Sequence, residues 1–140
     1  MKFLLPEGYT ELSLAVSRIP GNEFLPAHPF PGFTLNINVS TYIHRDWKDL
    51  KLCLIIVISD AACEGGDLCF FEPGIVFELL NGDMIIFQSS KYSHFNRHFK
   101  GYRSSVVFHS DNALPLWTSQ ANGWKNNANF RRSLLQPVTS

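Results

Sequence analysis

Residues 33–46, FTLNINVSTYIHRD, decide the fold, because they alternate apolar with polar side chains and then end in a histidine and a carboxylate. In an extended chain, alternate residues point to the same side. Leu35, Ile37, Val39 and Ile43 then fall on one face. The other face carries polar side chains, those of Asn36, Asn38, Ser40, Tyr42 and His44. This period of two predicts a half-buried strand over residues 33–43.

The chain after this segment continues as short apolar runs, each closed by turn residues such as Pro73-Gly74 and Asn81-Gly82. No amphipathic helical pattern interrupts them. Further strands are predicted over residues 52–58, 67–71, 75–79, 84–87, 92–99 and 104–109. Many short antiparallel strands with regular turns predict an all-β domain, and a jelly roll, or double-stranded β-helix, over residues 33–111 fits them best.

The two ends of the chain differ from this core in composition. Residues 1–32 form an N-terminal arm, in which the alternation of Leu12, Leu14 and Val16 predicts one more strand before a Pro- and Gly-rich loop. Residues 112–140 form a polar, Asn-rich C-terminal tail, in which Phe130, Leu134 and Leu135 predict a short docking helix. The length of 140 residues favours a single domain over residues 1–140.

Composition restricts the function classes. Apolar residues make up 45% of the chain and charged residues 17%, which argues against disorder. The 12 basic residues balance the 12 acidic ones, so no strong overall field draws the chain to DNA or to an acidic membrane. No apolar run is long enough for a signal or membrane segment. Three cysteines without paired spacing do not make a disulfide framework, and we expect an intracellular protein, cytoplasmic or nuclear.

His44-Arg45-Asp46 is the first candidate for chemistry. Because residues two apart share a side of an extended chain, the imidazole of His44 and the carboxylate of Asp46 project together. The alternative is a surface histidine beside a carboxylate. A later histidine would complete a set of two imidazoles and one carboxylate, which leaves positions open on one side of Fe(II). Either His94 or His98 could serve, and we favour His94 because it follows the chain's return to the mouth of the barrel.

Arg103 and Ser105 share a face of the last predicted strand, which Gly101 opens. A guanidinium fork with a hydroxyl beside it suits a dicarboxylate. The alternative is a surface arginine on an exposed strand. The polar face with Asn36 and Asn38 leads directly to His44, so these two amides are expected to line the pocket for the co-substrate or substrate.

In this order, the motifs resemble the Fe(II)- and 2-oxoglutarate-dependent dioxygenases, closest to the TET/JBP-like group found in fungi. The series is Asn36-x-Asn38, His44-Arg45-Asp46, Lys48-Asp49, Glu64-Gly65-Gly66-Asp67-Leu68, Asn81-Gly82-Asp83, Ser89 to Asn96, and Gly101-x-Arg103-x-Ser105. The resemblance covers residues 30–111.

The resemblance implies that His44, Asp46 and His94 ligate iron and that Arg103 binds the far carboxylate of 2-oxoglutarate. It implies the oxidation of a C–H bond with O2, and 5-methylcytosine in DNA as a substrate, with Trp47 and Asp49 at the substrate. Trp47 could instead pack on its neighbours. A protein or small-molecule substrate remains an alternative, as does a truncated, non-catalytic binding module derived from such an enzyme.

Overall fold

The computed structural model describes residues 1–120. Two helices lie near the ends of this range, α1 (Pro6–Val16) and α2 (Leu114–Gln120), and a single 3-10 turn covers Asn22–Phe24. The strands between them are β1 (Gly32–Ile37), β2 (Cys53–Ser59), β3 (Glu64–Gly65), β4 (Leu68–Phe70), β5 (Ile75–Phe77), β6 (Met84–Phe87), β7 (His94–Asn96), β8 (Phe99–Lys100) and β9 (Arg103–His109).

The strands form two main antiparallel sheets. The larger sheet has the order β1-β9-β2-β6, and the smaller has the order β5-β4-β7, with β3 and β8 as a separate pair. Strands that are distant in sequence lie side by side, as β1 and β9 do, which is typical of a jelly roll. The predicted all-β, jelly-roll fold class is therefore confirmed.

The two faces of the larger sheet differ: the face towards the cavity mixes polar with apolar side chains, and the opposite face is almost wholly apolar. Thr34 and Asn36 pair with Val107 and Ser105, and all four line the internal cavity. The register then places the alternate residues of the four strands on the opposite side, which we call the outer face. Its members are Phe33, Leu35, Ile37, Leu54, Ile56, Ile58, Met84, Ile86, Ser104, Val106 and Phe108.

The strands predicted over 33–43 and 92–99 depart most from the predicted lengths. The strand predicted over 33–43 ends at Ile37, because Asn38 adopts a left-handed conformation with φ of 51°. Its side-chain oxygen accepts a hydrogen bond from the Arg103 amide at 3.0 Å and closes the strand. The strand predicted over 92–99 divides into β7, which pairs with β4, and β8, which pairs with β3. The interruption lies opposite Gly66, whose φ is 82°.

The strand predicted around Leu12, Leu14 and Val16 is wrong, since these residues belong to helix α1. Pro6 begins the helix, where its missing N–H costs nothing. Leu12 and Val16 are four residues apart and fully buried, whereas Leu14 is 65% exposed. A spacing of four buried positions is that of a helix face, and the intervening alternation with serine and alanine concealed it.

Helix α1 covers one end of the outer face. Leu12 packs with Phe30 and Leu52 in a buried cluster, and three residues of the sheet pack against this cluster: Leu54, Ile86 and Phe108. Helix α2 contacts α1 and confirms a short helix in the C-terminal tail. The docking helix predicted from Phe130, Leu134 and Leu135 lies outside the described residues. Within residues 1–120, no helix has the length and hydrophobicity that crossing a membrane requires.

Leu12→Ala is expected to lower the free energy of unfolding by about 2–5 kcal/mol, because it leaves a cavity in the α1 cluster. Leu14→Ala on the exposed side should change it by less than about 0.5 kcal/mol. Urea unfolding of the two variants measures both. In a strand the two leucines would share a face, so equal losses would contradict helix α1.

Candidate metal centre

His44 and His94 are brought together by a pair of backbone hydrogen bonds. The His44 amide donates to the His94 carbonyl at 3.0 Å, and the His94 amide donates to the His44 carbonyl at 2.9 Å. This bridge places the segment at His44 beside β7, at the edge of the smaller sheet. The two imidazole rings consequently lie with their centroids 4.5 Å apart.

Both imidazoles are oriented in the same way. Nδ1 of His44 lies 2.7 Å from the carbonyl of Tyr42, and Nδ1 of His94 lies 3.0 Å from the carbonyl of Tyr92. Because a carbonyl only accepts, each Nδ1 carries the proton and donates it. Each Nε2 faces the Asp46 carboxylate, and in the neutral ring it carries the lone pair with which histidine binds a metal, in exchange for any proton held there.

Asp46 completes the group. Its Oδ1 lies 3.8 Å from Nε2 of His44, and its Oδ2 lies 3.4 Å from Nε2 of His94. The three ligand atoms all fall within 4.8 Å of one another, so a single ion could contact all three. Two imidazoles and one carboxylate are the donor set of the Fe(II) facial triad, so the residues fit the metal that the motifs imply.

The charges of the group support one another. The hydrogen bond from His94 and the nearby imidazoles hold the pKa of the Asp46 carboxyl below its usual range, despite its partial burial. Burial of His94 opposes its charged form, but the Asp46 carboxylate and the Tyr92 carbonyl outweigh this and raise the pKa of His94. An anionic carboxylate is thus held against two imidazoles, as a cation site requires.

His98 lies elsewhere. Its side chain is exposed, it does not line the cavity, and its carbonyl accepts a hydrogen bond from the Gly66 amide at 3.2 Å. His44 pairs with His94 and not with His98, which lies four residues further along the chain.

Arg103 occupies the first position of β9 and points into the same cavity as His44, Asp46 and His94. The side chain is only 7% exposed, and burial lowers the pKa of its guanidinium. Among residues 1–120, no carboxylate forms an ion pair with it. The side chain passes over Gly66, where a Cβ atom would lie 2.5 Å from the Arg103 Nε.

The predicted co-substrate residues divide into two groups. Ser105 and Asn36 line the cavity beside Arg103, and the Asn36 amide donates to the Ser105 hydroxyl at 3.5 Å. Asn38 does not line the cavity. It acts on the backbone instead, since its amide and side-chain oxygen bond the carbonyl and amide of Arg103.

The cavity has a volume of about 290 Å³ and extends from the group of His44, Asp46 and His94 to Arg103. Sequence reasoning overlooked two of its lining residues, Thr41 and Asn96. The Asn96 side-chain oxygen accepts hydrogen bonds from the Thr41 amide and hydroxyl, each at 2.7 Å. This pair fixes the loop that leads to His44. No local sequence pattern indicates this contact, because Thr41 and Asn96 are far apart in the chain.

Asp49 lies in the cavity wall near the metal ligands, at the other side from Arg103. Its Oδ2 accepts a hydrogen bond from the fully buried Ser89 hydroxyl at 2.5 Å, and its Oδ1 lies 3.7 Å from Nδ1 of His109. Burial raises the pKa of the Asp49 carboxyl. His109, which shares the parity of Arg103 and Ser105, lines the cavity as well. Ser89 and Asp49 therefore present one carboxylate oxygen next to an imidazole.

Trp47 lies outside this cavity, in a shallow groove on the outer side of His44. The indole is 67% exposed, and the Arg45 guanidinium lies 4.9 Å from its ring centre. Arg45 also pairs with Glu72 and donates to the Ser93 hydroxyl. The Ser93 hydrogen bonds and Arg45 lower the pKa of Glu72 to about 2, so this ion pair stays charged. The indole of Trp47 therefore contacts a guanidinium that Glu72 and Ser93 hold in place.

His94→Ala is expected to abolish tight binding of Fe(II), or of Co(II) as a probe, because it removes one of three ligand atoms. The matched control is His98→Ala, which should bind the metal with unchanged affinity. Isothermal titration calorimetry under anaerobic conditions measures the metal affinity of both variants. Loss of binding in His98→Ala and not in His94→Ala would move the site to the other histidine.

Of the comparisons with known proteins, only the one with solved structures gives matches. No protein-family model matches the chain, and no curated protein matches it. A solved structure of NgTET1 in complex with 5mC DNA is similar with a TM-score of 0.66 at 16% sequence identity, over 75% of this chain and 43% of that one. A Burkholderia pseudomallei oxidoreductase of the 2OG-Fe(II) oxygenase family gives a TM-score of 0.45 at 21% identity, over 55% and 39%.

The chain spans less than half the length of either solved structure. The TM-score of 0.66 shows a fold shared with NgTET1, and an identity of 16% leaves the activity open. The likeness to NgTET1 covers three quarters of this chain. Over that part, the chain therefore shares the fold of NgTET1, as the resemblance of its motifs implied.

Proposed function

We propose that this chain is an Fe(II)- and 2-oxoglutarate-dependent dioxygenase that oxidises a C–H bond. The observation that carries the proposal is a buried guanidinium, Arg103, without a carboxylate partner in residues 1–120, facing the same cavity as His44, Asp46 and His94. A buried cation without a counter-ion is costly, and an anionic ligand offsets that cost.

The arrangement suits a dicarboxylate that reaches from Arg103 to the metal. The guanidinium fork binds one carboxylate by two hydrogen bonds, and the Ser105 hydroxyl adds a third. Asn36 holds the Ser105 hydroxyl in place from the neighbouring strand. His44, Asp46 and His94 would hold the iron, and a set of two imidazoles and one carboxylate would leave coordination positions for 2-oxoglutarate and O2. The iron, when bound, supplies the redox chemistry that couples decarboxylation to oxidation of the substrate.

Arg103→Lys is expected to raise the KM for 2-oxoglutarate by one to two orders of magnitude. Lysine keeps the charge but loses the planar two-point contact, which costs about 1.5–3 kcal/mol in a buried site. Ser105→Ala should cost about 1 kcal/mol, because it removes a neutral partner. Succinate release at fixed iron measures both variants. Iron affinity without 2-oxoglutarate should not change in either one, and an unchanged KM in Arg103→Lys would place the carboxylate elsewhere.

Gly66→Ala tests the same clamp from the other side. An alanine Cβ would lie 2.5 Å from Arg103 Nε and 2.6 Å from its Cδ, so the guanidinium must move. Gly82→Ala is the matched control, because its φ of +87° is close to the +82° of Gly66 and no atom lies within 4 Å of the added Cβ. Both variants should lose about 1–2 kcal/mol of stability, as measured by urea unfolding. Only Gly66→Ala should weaken the binding of 2-oxoglutarate, and equal weakening would argue against a direct contact with Arg103.

We further propose a methylated cytosine in DNA as the substrate. The similar structure of NgTET1 contains 5mC DNA, and in this chain Asp49 and His109 offer an acceptor and an imidazole to a polar ring edge near the metal. Base oxidation in a duplex requires the base to leave the stack. The exposed Trp47 indole lies in the neighbouring groove, which shares His44 with the cavity, and can stack on a flanking base.

The basic residues available for phosphate contact are few. Three basic residues lie close together in the sequence, Arg97, Lys100 and Arg103. Arg97 is paired with Asp67 at 3.1 Å and Arg103 is buried, so among these three only Lys100 is available for a phosphate contact. Arg131 and Arg132 lie outside the described residues. We therefore expect weak DNA binding with a shallow dependence on salt.

Incubation of the iron-loaded protein with 2-oxoglutarate and a 5-methylcytosine oligonucleotide is expected to give oxidised cytosine, detected by mass spectrometry of the nucleosides. Asp49→Asn should reduce this product at least tenfold, or by about 1.4 kcal/mol, while iron affinity is unchanged. Succinate release without oxidised base would indicate a protein or small-molecule substrate. No binding of iron or 2-oxoglutarate would instead indicate a non-catalytic module.

A further inference from the structure

The outer face of the larger sheet is apolar throughout, except for Ser104, and only one end of it is covered. The α1 cluster packs on Leu54, Ile86 and Phe108. The other end consists of Leu35, Ile37, Ile56, Ile58, Met84 and Val106. Four of these side chains are strongly exposed in residues 1–120: Leu35 at 52%, Ile37 at 52%, Ile58 at 44% and Met84 at 65%. Contiguous apolar surface of this kind indicates a contact surface, because leaving it in water is unfavourable.

The border of this uncovered end is acidic. Asp60 follows β2 directly and Asp83 precedes β6, and both side chains are exposed. Each carboxylate accepts a backbone hydrogen bond, Asp60 from Tyr102 and Asp83 from Leu80. Within residues 1–120, neither carboxylate has a basic side chain as partner. The occupant of the surface should therefore combine apolar side chains with positive charge.

We propose that the C-terminal segment 121–140 of the same chain packs on this uncovered end. The segment contains five apolar side chains that need cover, those of Trp124, Phe130, Leu134, Leu135 and Val138. It carries three of the twelve basic residues of the chain and none of its twelve acidic residues. Residues 1–120 thus have an excess of three acidic side chains, and the segment has the complementary excess of three basic ones.

The chain can reach the surface from where α2 ends. Gln120 ends α2, α2 contacts α1, and α1 covers the adjacent end of the same face. Along β2, the four residue steps from Leu54 to Ile58 span about 13 Å. The ten residues from Gln120 to Phe130 can extend over about 33 Å, which is ample.

Charge argues against the other occupants. A second copy related by a twofold axis would place the same patch against itself, so that Asp60 and Asp83 of one copy faced those of the other. Nucleic acid would meet the same acidic border with its phosphates. The segment needs neither, and it is held at high effective concentration by its covalent link.

The direct test replaces Phe130 with photoreactive p-benzoylphenylalanine in the full 140-residue chain and maps the cross-link by mass spectrometry. Cross-links within one chain to β1, β2 or β6 support the proposal. A cross-linked dimer, cross-links confined to other surfaces, or no cross-link to these strands would overturn it. The readout needs no metal, 2-oxoglutarate or substrate, so it is independent of the proposed function.

A second measurement compares Leu134→Asp with Gln136→Asp, which introduce the same charge two residues apart. Leu134→Asp should increase the fluorescence of a hydrophobic dye severalfold and lower Tm by about 3 °C or more, because it exposes the outer face. Gln136→Asp should change neither. Equal behaviour of the two variants would contradict packing of the segment, even where the substituted chains remain folded.

Discussion

The two hydrogen bonds between the backbones of His44 and His94 are the constraint on which the site depends. They join a loop that belongs to no sheet to the edge strand β7, and so they set two imidazoles side by side. Each ring is then fixed by a second backbone contact, to the carbonyl two residues earlier. Both Nε2 atoms therefore face Asp46 before any metal arrives. Such preorganisation removes the entropy that flexible ligands would lose on binding a metal.

The opposite end of the cavity depends on burial. Arg103 is held in place by Asn38 through the backbone, and the absence of a side chain at Gly66 gives the guanidinium room to cross into the cavity. Without a carboxylate partner in the described residues, this cation makes an anionic ligand favourable. This cation lies at one end of the cavity and the group of His44, Asp46 and His94 at the other, and the proposed dicarboxylate would bridge the space between them.

The larger sheet is unusual in where it places its polar side chains. Its inner face carries Asn36, Arg103 and Ser105 around the cavity, whereas its outer face is apolar. A fold with a polar cavity in its centre must bury its apolar surface elsewhere. Helix α1 does this at one end of the outer face, and the C-terminal segment is the proposed cover for the other.

Local periodicity was enough to predict most of the strands and to group the candidate site residues in pairs. The alternation after Phe33 and the turns at Gly74 and Gly82 predict a jelly roll from local periodicity, because side chains on a strand alternate between two faces. The same period identified His44 with Asp46 and Arg103 with Ser105, which are close in the chain. It was misleading at Leu12 and Val16, where an alternating pattern also satisfies a helical spacing of four.

Contacts between residues that are distant in the sequence could not be predicted from local periodicity. The choice between His94 and His98 depends on which of them pairs with His44, and the backbone bridge joins His44 to His94, a contact that no local pattern shows. The role of Asn38 in the backbone, the pairing of Asn96 with Thr41 and the position of Trp47 outside the cavity depend likewise on contacts across the sheets. Periodicity gives the side of a strand on which a residue lies, but the partner on that side is set by how the sheets pack.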